Sequence, residues 1–341
     1  MDKRKAVVVC PGRGTYNRTE LGYLKRLHRD RRALIDMADA ARAALGQPKV
    51  SQLDGAASYS AATHGRGDNA SPLIFTCSYA DFLAIDRDRF DIVAVTGNSM
   101  GWYSALACGG ALTTEHAFGV VNAMGARMHA RGTGGQVVHT TLDENWRAIP
   151  GRREALLGLV ESIGDLYVSI ELGGMIAFAG AEAALDAFVA RAAAGPGSFP
   201  LRLQNHAAFH TPLMRPMSDE AKAELPEAWF TGPELPMIDG RGHVWRPFAT
   251  DRHALWDYTL GHQITELYDF TKAITVAVRE FAPDCLIVLG PGDTLGGAVI
   301  QSLLGIGWRG WSTKTDFQAA QAADPYLLAL GRADQRVRAV K

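Results

Sequence analysis

The chain has 341 residues, 47% hydrophobic and 21% charged, with 35 basic against 36 acidic side chains and a formal net charge of -1. This composition excludes a chain that is mainly disordered, leaves no global field to gather nucleic acid or an anionic membrane, and suffices for one large core plus a smaller subdomain. Cys10, Cys77, Cys108 and Cys285 form no ligand-spaced cluster and no run approaches twenty apolar residues, so reduced thiols in a cytoplasmic protein are expected, with no disulfide, metal, organic cofactor or membrane span.

The first predicted element is a buried strand over residues 6–10, which runs into Pro11-Gly12-Arg13-Gly14. Residues 18–45 read as an amphipathic helix whose arginines and lysines make a solvated face, and residues 53–70 as a loop over the site. A second apolar strand at 92–96 stops at Gly97-Asn98-Ser99-Met100-Gly101 and restarts as helix. Such a Gly-x-Ser-x-Gly turn lifts its serine between strand and helix, which makes Ser99 the candidate nucleophile and the Met100 amide a donor for an oxyanion. A glycine-flanked serine can also be a plain turn, so the pentapeptide alone leaves both readings open.

Between Gly132 and Pro200 the texture changes. A strand at 136–141, helix at 152–163, strands at 166–170 and 175–179, helix at 182–194 and a closing strand at 201–203 give the β-α-β-β-α-β order of a ferredoxin-like unit. Residues 135–204 are therefore assigned to a small subdomain, and 1–134 with 205–341 to the core. After it comes Ala207-Ala208-Phe209-His210-Thr211-Pro212. A serine hydroxyl needs a base within hydrogen-bond reach, and imidazole fills that role at neutral pH, so His210 is the candidate base. A third buried strand at 285–289 ends at Gly290-Pro291-Gly292. Strands alternating with helical segments argue for an α/β class with a parallel sheet, its site on the rim where the three glycine turns converge.

In their order, Pro11-Gly12-Arg13-Gly14, Gly97 to Gly101, Ala208-Phe209-His210 and Gly290-Pro291-Gly292 give the chain a resemblance to the acyl-carrier-protein malonyltransferase family, the acyltransferases of fatty-acid and polyketide synthesis. That family shows Pro-Gly-Gln-Gly, Gly-His-Ser-x-Gly-Glu-Tyr, Ala-Phe-His-Ser/Thr-x-x-Met and a closing Gly-Pro-Gly. The likeness runs from about residue 6 to about residue 303. It implies a hydrolase-like core with a ferredoxin-like insert, a Ser99–His210 dyad, and an oxyanion hole from the Arg13 and Met100 amides. It also implies a backbone carbonyl near Gln263 that orients the histidine. His206 and His262 stand outside the family frame and read as surface or packing histidines.

Departures from the pattern mark the substrate pocket. Malonyl-handling members carry an arginine on the helix after the nucleophile, whose fork grips the free carboxylate. Here that place is Met124. Arg13, Arg127 and Arg131 are candidates to replace it, although the last two read most simply as solvent-facing. Trp102 stands at the usual glutamate, Asn98 at the usual histidine, and Glu171 lies where asparagines are common; these are expected to line the pocket and suit a neutral acyl group. The resulting expectation is an acyl transfer from a CoA or carrier-protein thioester to the phosphopantetheine thiol of an acyl carrier protein, by a monomer. Some of Arg127, Arg131, Arg152, Arg153 and Lys272 could form the docking patch. Two alternatives stay open: an acyl-thioester hydrolase using the same dyad, and a non-catalytic carrier-binding subunit. An unrelated esterase would explain neither the insert nor the closing Gly-Pro-Gly.

Overall fold

A computed structural model describes residues 3–341. In chain order its strands are β1 (Arg4–Cys10), β2 (Phe90–Gly97), β3 (Gly135–Thr140), β4 (Leu166–Leu172), β5 (Met175–Gly180), β6 (Leu201–Leu203), β7 (Met237–Ile238), β8 (Val244–Trp245), β9 (Tyr268–Asp269), β10 (Cys285–Val288) and β11 (Leu327–Ala329). They form two sheets, ordered β11-β10-β1-β2-β7-β8 and β6-β3-β5-β4-β9.

The first sheet is parallel except for β8, which turns back antiparallel on β7. Its central strand carries Ala6-Val7-Val8-Val9-Cys10 wholly buried, because a parallel strand covered by helices on both faces has no polar side to show. The carboxyl ends of β1, β2 and β10 lead into the three glycine-containing turns, which puts them on one rim as the α/β reading requires. The chain beyond Trp308 supplies β11, so it completes this sheet.

In the second sheet β3, β4, β5 and β6 pair antiparallel in the order β6-β3-β5-β4, with helices Arg152–Ser162 and Glu182–Arg191 between them. This is the ferredoxin-like arrangement, and β9 from the other part of the chain adds a parallel edge beside β4. A separate small core of Val137, Phe178, Phe188 and neighbours holds it together.

Two sequence expectations are corrected. Residues 18–45 do not form one helix: a short helix Tyr23–Leu27 and a longer one Arg32–Ala44 are separated by a turn. Nor is the basic face wholly solvated, since Arg42 is fully buried and donates to Asp68 O, Asn122 Oδ1 and Asn69 Oδ1 at 2.6–2.7 Å. Residues 53–70 are only partly loop: 55–60 and 65–66 lie outside helix, and the rest hold the end of a short helix Val50–Asp54, the helix Ala61–His64 and the start of the buried helix Gly67–Ala84. From that helix Asp81 accepts from Gly290 N at 2.7 Å and from Tyr23 Oη at 2.8 Å, and it pairs with His28 and Arg336. Burial alone would raise the Asp81 carboxyl, but these partners hold it below its ordinary range. The network ties the third glycine turn to both ends of the chain.

Candidate active site

Ser99 sits at the end of β2 with φ +54°, in the left-handed region that a non-glycine residue adopts only when its surroundings dictate it. The flanking glycines supply those surroundings. A Cβ on Gly97 would strike the backbone of Gly101, and one on Gly101 would strike Cys10 O, so the turn closes tightly only without side chains there. Ser99 Oγ lies 2.7 Å from His210 Nε2.

His210 is held from behind. Its Nδ1 lies 2.6 Å from the backbone oxygen of Gln263 and its own amide donates to Ile264 O at 2.8 Å. A ring nitrogen facing a carbonyl must carry the proton, which leaves Nε2 free to accept from Ser99. The Gln263 side chain completes the bracket: Nε2 donates to Ser99 O at 3.1 Å, and Tyr103 Oη donates to Gln263 Oε1 at 2.9 Å. Gln263 follows a π-helical turn, Tyr258–His262, a local widening that often marks a functional site. Burial, with a smaller push from His262, lowers the His210 pKa to about 4, although the Gln263 carbonyl works the other way. The imidazole is therefore neutral at ordinary pH.

Among the described residues the amides of Arg13 and Met100 have no acceptor, and both residues line the cavity beside Ser99. Preorganised, uncommitted donors of this kind can meet an oxyanion. The Arg13 side chain is committed: it donates to Gly65 O at 2.9 Å, Asn205 O at 2.8 Å and Met128 Sδ at 2.9 Å. Burial, partly offset by Asp68, lowers it to about 10, so it stays a cation.

The cavity that opens from Ser99 has a volume of about 370 Å³. Met124, Met128, Met175, Ile170, Leu172 and Phe209 contribute to its wall, and among the described residues Arg13 is the one Lys or Arg on it. Asn98 lines it as well. Trp102 and Glu171 do not. Trp102 is fully buried beneath the turn, donating to Thr259 Oγ1 at 3.0 Å and packed edge-on against Tyr258. Glu171 alternates with Ile170 and Leu172 along β4, so it points to the opposite face, where it pairs with Arg153 at 2.6 Å. Arg127 is not solvent-facing: it is 9% exposed and paired with Glu224. Arg131 is exposed and paired with Glu220. Neither lines the cavity. His206 lines it, yet burial and the nearby Arg13 lower its pKa to about 3 and its Nδ1 faces Gln204 O. His262 is only half-buried and stacks on Tyr258.

Of the residues expected to form a basic docking patch, Arg127, Arg131 and Arg153 are already paired with acids, and Arg152 donates to the carbonyls of Ala193 and Ala194. Sequence reasoning missed Tyr103, which braces Gln263, and Tyr268, whose hydroxyl donates to Gly97 O at 2.5 Å while its ring packs against His210. It also missed Ser71 and Gln136, two polar side chains on the cavity wall. Tyr103 was within reach of inspection, since it stands four residues after Ser99.

No family model matches the chain. Among curated proteins, it is 28% identical over 230 residues to the malonyl CoA-acyl carrier protein transacylase of Salmonella typhimurium, covering 66% of this chain and 71% of that one. It is 27% identical over 304 residues to the phenolphthiocerol synthesis polyketide synthase type I Pks15/1 of Mycobacterium marinum, covering 88% of this chain but only 14% of that synthase. Among solved structures, the malonyl-CoA:ACP transacylase of Synechocystis superposes with a TM-score of 0.74 at 16% identity, over 98% of this chain and 99% of that one. A type II polyketide-synthase malonyl-transacylase in complex with its acyl-carrier protein superposes with a TM-score of 0.73 at 19% identity, over 99% of both chains. At these identities the solved structures share the fold. Together with the sequence relatives they make the chain similar, in sequence and in fold, to the malonyl-CoA:acyl-carrier-protein transacylases.

Proposed function

We propose that the chain moves a neutral acyl group from a CoA or carrier-protein thioester, through an ester on Ser99, to the phosphopantetheine thiol of an acyl carrier protein. The observation that carries this reading is the hydrogen-bonded line Ser99–His210–Gln263 opening onto an apolar cavity. His210 Nε2 takes the Ser99 proton as Oγ bonds to the thioester carbon, and the oxyanion formed is met by the Arg13 and Met100 amides. Collapse breaks the carbon–sulfur bond, and the departing thiolate takes the proton from His210. The second half runs in reverse, with His210 accepting the proton of the carrier thiol and returning it to Ser99.

A neutral acyl group is favoured because Met124 stands where a carboxylate-gripping arginine would be, and the Arg13 guanidinium on the wall already donates to two carbonyls. A malonyl carboxylate desolvated there without a partner would cost several kcal/mol. The carrier protein as acceptor is supported by the relatives' names and by the complex among the fold neighbours.

The test is intact-protein mass after brief incubation with acetyl-, hexanoyl-, benzoyl- and malonyl-CoA, followed by addition of holo acyl carrier protein. We expect a neutral-acyl increment that passes to the carrier, and a fall of about 10⁴-fold or more in labelling for Ser99→Ala. Free acid in place of acyl-carrier product would instead identify a hydrolase. Absence of any adduct on folded protein would overturn the reading.

A further inference from the structure

The cavity wall is largely apolar; of its polar groups, Arg13 Nε and Asn98 Oδ1 are unpaired but closed off from the cavity space, each with almost no accessible surface. Near the nucleophile, Thr15 donates to Gly12 O and both ends of the Gln263 amide are used. Farther along the wall stand Ser71, on the helix Gly67–Ala84 of the core, and Gln136, on β3 of the insert. Each is only 3% exposed.

Gln136 Nε2 donates to Ser169 Oγ at 2.9 Å, and Ser169 Oγ donates to Phe209 O at 2.9 Å. Because the Ser169 proton goes to Phe209, its oxygen must accept from Gln136, and that fixes the orientation of the amide. Among the described residues Gln136 Oε1 then has no donor, and the Ser71 hydroxyl has no partner of either kind. Buried polar groups are as a rule hydrogen-bonded, and those left unpaired in a ligand cavity are the ones that fix a ligand's orientation.

We infer that the acyl group carried by Ser99 bears a neutral hydroxyl along its chain, which donates to Gln136 Oε1, with Ser71 as a second polar group on the same wall. This inference rests on the acyl-transfer reading and narrows its substrate class. A hydroxyl supplies the proton that Gln136 Oε1 lacks and has lone pairs to accept from a donor such as Ser71 Oγ. A keto oxygen can only accept and leaves Gln136 Oε1 unpaired. A carboxylate fails for the same reason and also carries a charge that neither group neutralises. The volume of about 370 Å³ is room for roughly a dozen heavy atoms at about 30 Å³ each, which a six-carbon hydroxyacyl group with part of the pantetheine arm would occupy.

The test is single-turnover labelling of Ser99 by hexanoyl-CoA in competition with its 3-hydroxy, 4-hydroxy and 3-oxo counterparts, for the wild type, Gln136→Leu and Ser71→Ala. Circular dichroism checks that each variant is folded. One hydroxyacyl donor should outcompete hexanoyl-CoA by about tenfold in the wild type, ahead of the keto compound, and the ratio should fall toward one in each variant. Equal labelling by hexanoyl and all hydroxyhexanoyl donors, or a ratio unmoved in both variants, would overturn the inference while leaving acyl transfer standing. A folded wild type labelled by none of the donors would overturn the acyl-transfer reading, and this inference with it.

Discussion

The turn that carries Ser99 and the wall proposed to receive the acyl group meet at one cavity but are built on opposite terms. Around Ser99 the side chains that would react are tied to fixed partners, and the Arg13 and Met100 amides are left open: His210 lies between Ser99 and the Gln263 carbonyl, Gln263 between Ser99 and Tyr103, and Tyr268 on Gly97. Along the wall, flexible methionines at 124, 128 and 175 surround two polar groups with unused capacity. A chain of hydrogen-bonded side chains holds one geometry, whereas a methionine wall adapts to what enters it. Reactivity and selectivity can therefore change independently here, and substitutions on the two sides should have different signatures.

The largest effect is expected on the nucleophile's side, at His210. Its pKa is lowered to about 4, mainly by burial. A lowered value means the neutral, proton-accepting form persists to more acid pH than for an ordinary histidine at about 6.5. The acylation rate should thus stay flat from pH 8 to about 5 and fall only near pH 4, when followed by quenched-flow mass measurement. A limb near 6.5 would show that the imidazole is not shielded as described. The same shift acts on folding: the unfolded chain takes up this proton first, so its contribution to stability is present above about pH 6.5 and is lost as pH falls toward 4. His210→Ala should lower acylation by roughly 10²- to 10⁴-fold without altering the preference among acyl donors.

A smaller, differently shaped effect is expected on the wall. Met124→Arg places a guanidinium fork at 3% exposure among apolar side chains. Alone it should destabilise the fold, because a buried charge without a partner is costly, and a malonyl carboxylate would relieve that cost. Labelling by malonyl-CoA relative to hexanoyl-CoA should rise roughly 10- to 100-fold, and malonylation should raise the variant's Tm. An unchanged ratio would mean that the wall at 124 does not meet the acyl group, which would separate the cavity from the selectivity assigned to it.

How far the sequence discloses these two sides follows from the range of the interactions. The nucleophile's turn is written locally, since Gly97 and Gly101 are demanded by contacts within the turn and with the adjacent strand. The strand order of the insert could be read from its alternation of elements. The histidine's carbonyl partner came through family resemblance, because a backbone oxygen leaves no side-chain signature. Trp102 was misplaced because a helix turns about 100° per residue: Tyr103 reaches the cavity and Trp102, one step round, enters the core behind it. The burial of Arg127 and Arg42 depends on partners far along the chain, and no local pattern announces those. Ser71 and Gln136 are visible only once the core and insert are brought together.

Glu171 was the avoidable error, and it gives the smallest effect expected. A strand alternates its faces, so if Ile170 and Leu172 line the cavity, the residue between them cannot. Glu171 instead meets Arg153 through both carboxylate oxygens; the Glu171 side chain is 14% exposed but that of Arg153 is 48% exposed, so water screens the pair from the arginine's side and limits what it contributes. Glu171→Gln should therefore shift stability by less than about 1 kcal/mol, read as a change in Tm, and leave the ranking of acyl donors as it was. A changed ranking would put the carboxylate in communication with the acyl group and require the β4 edge to rotate. An unchanged one would confine selectivity to the inward face of β4, beside Met124 and Gln136.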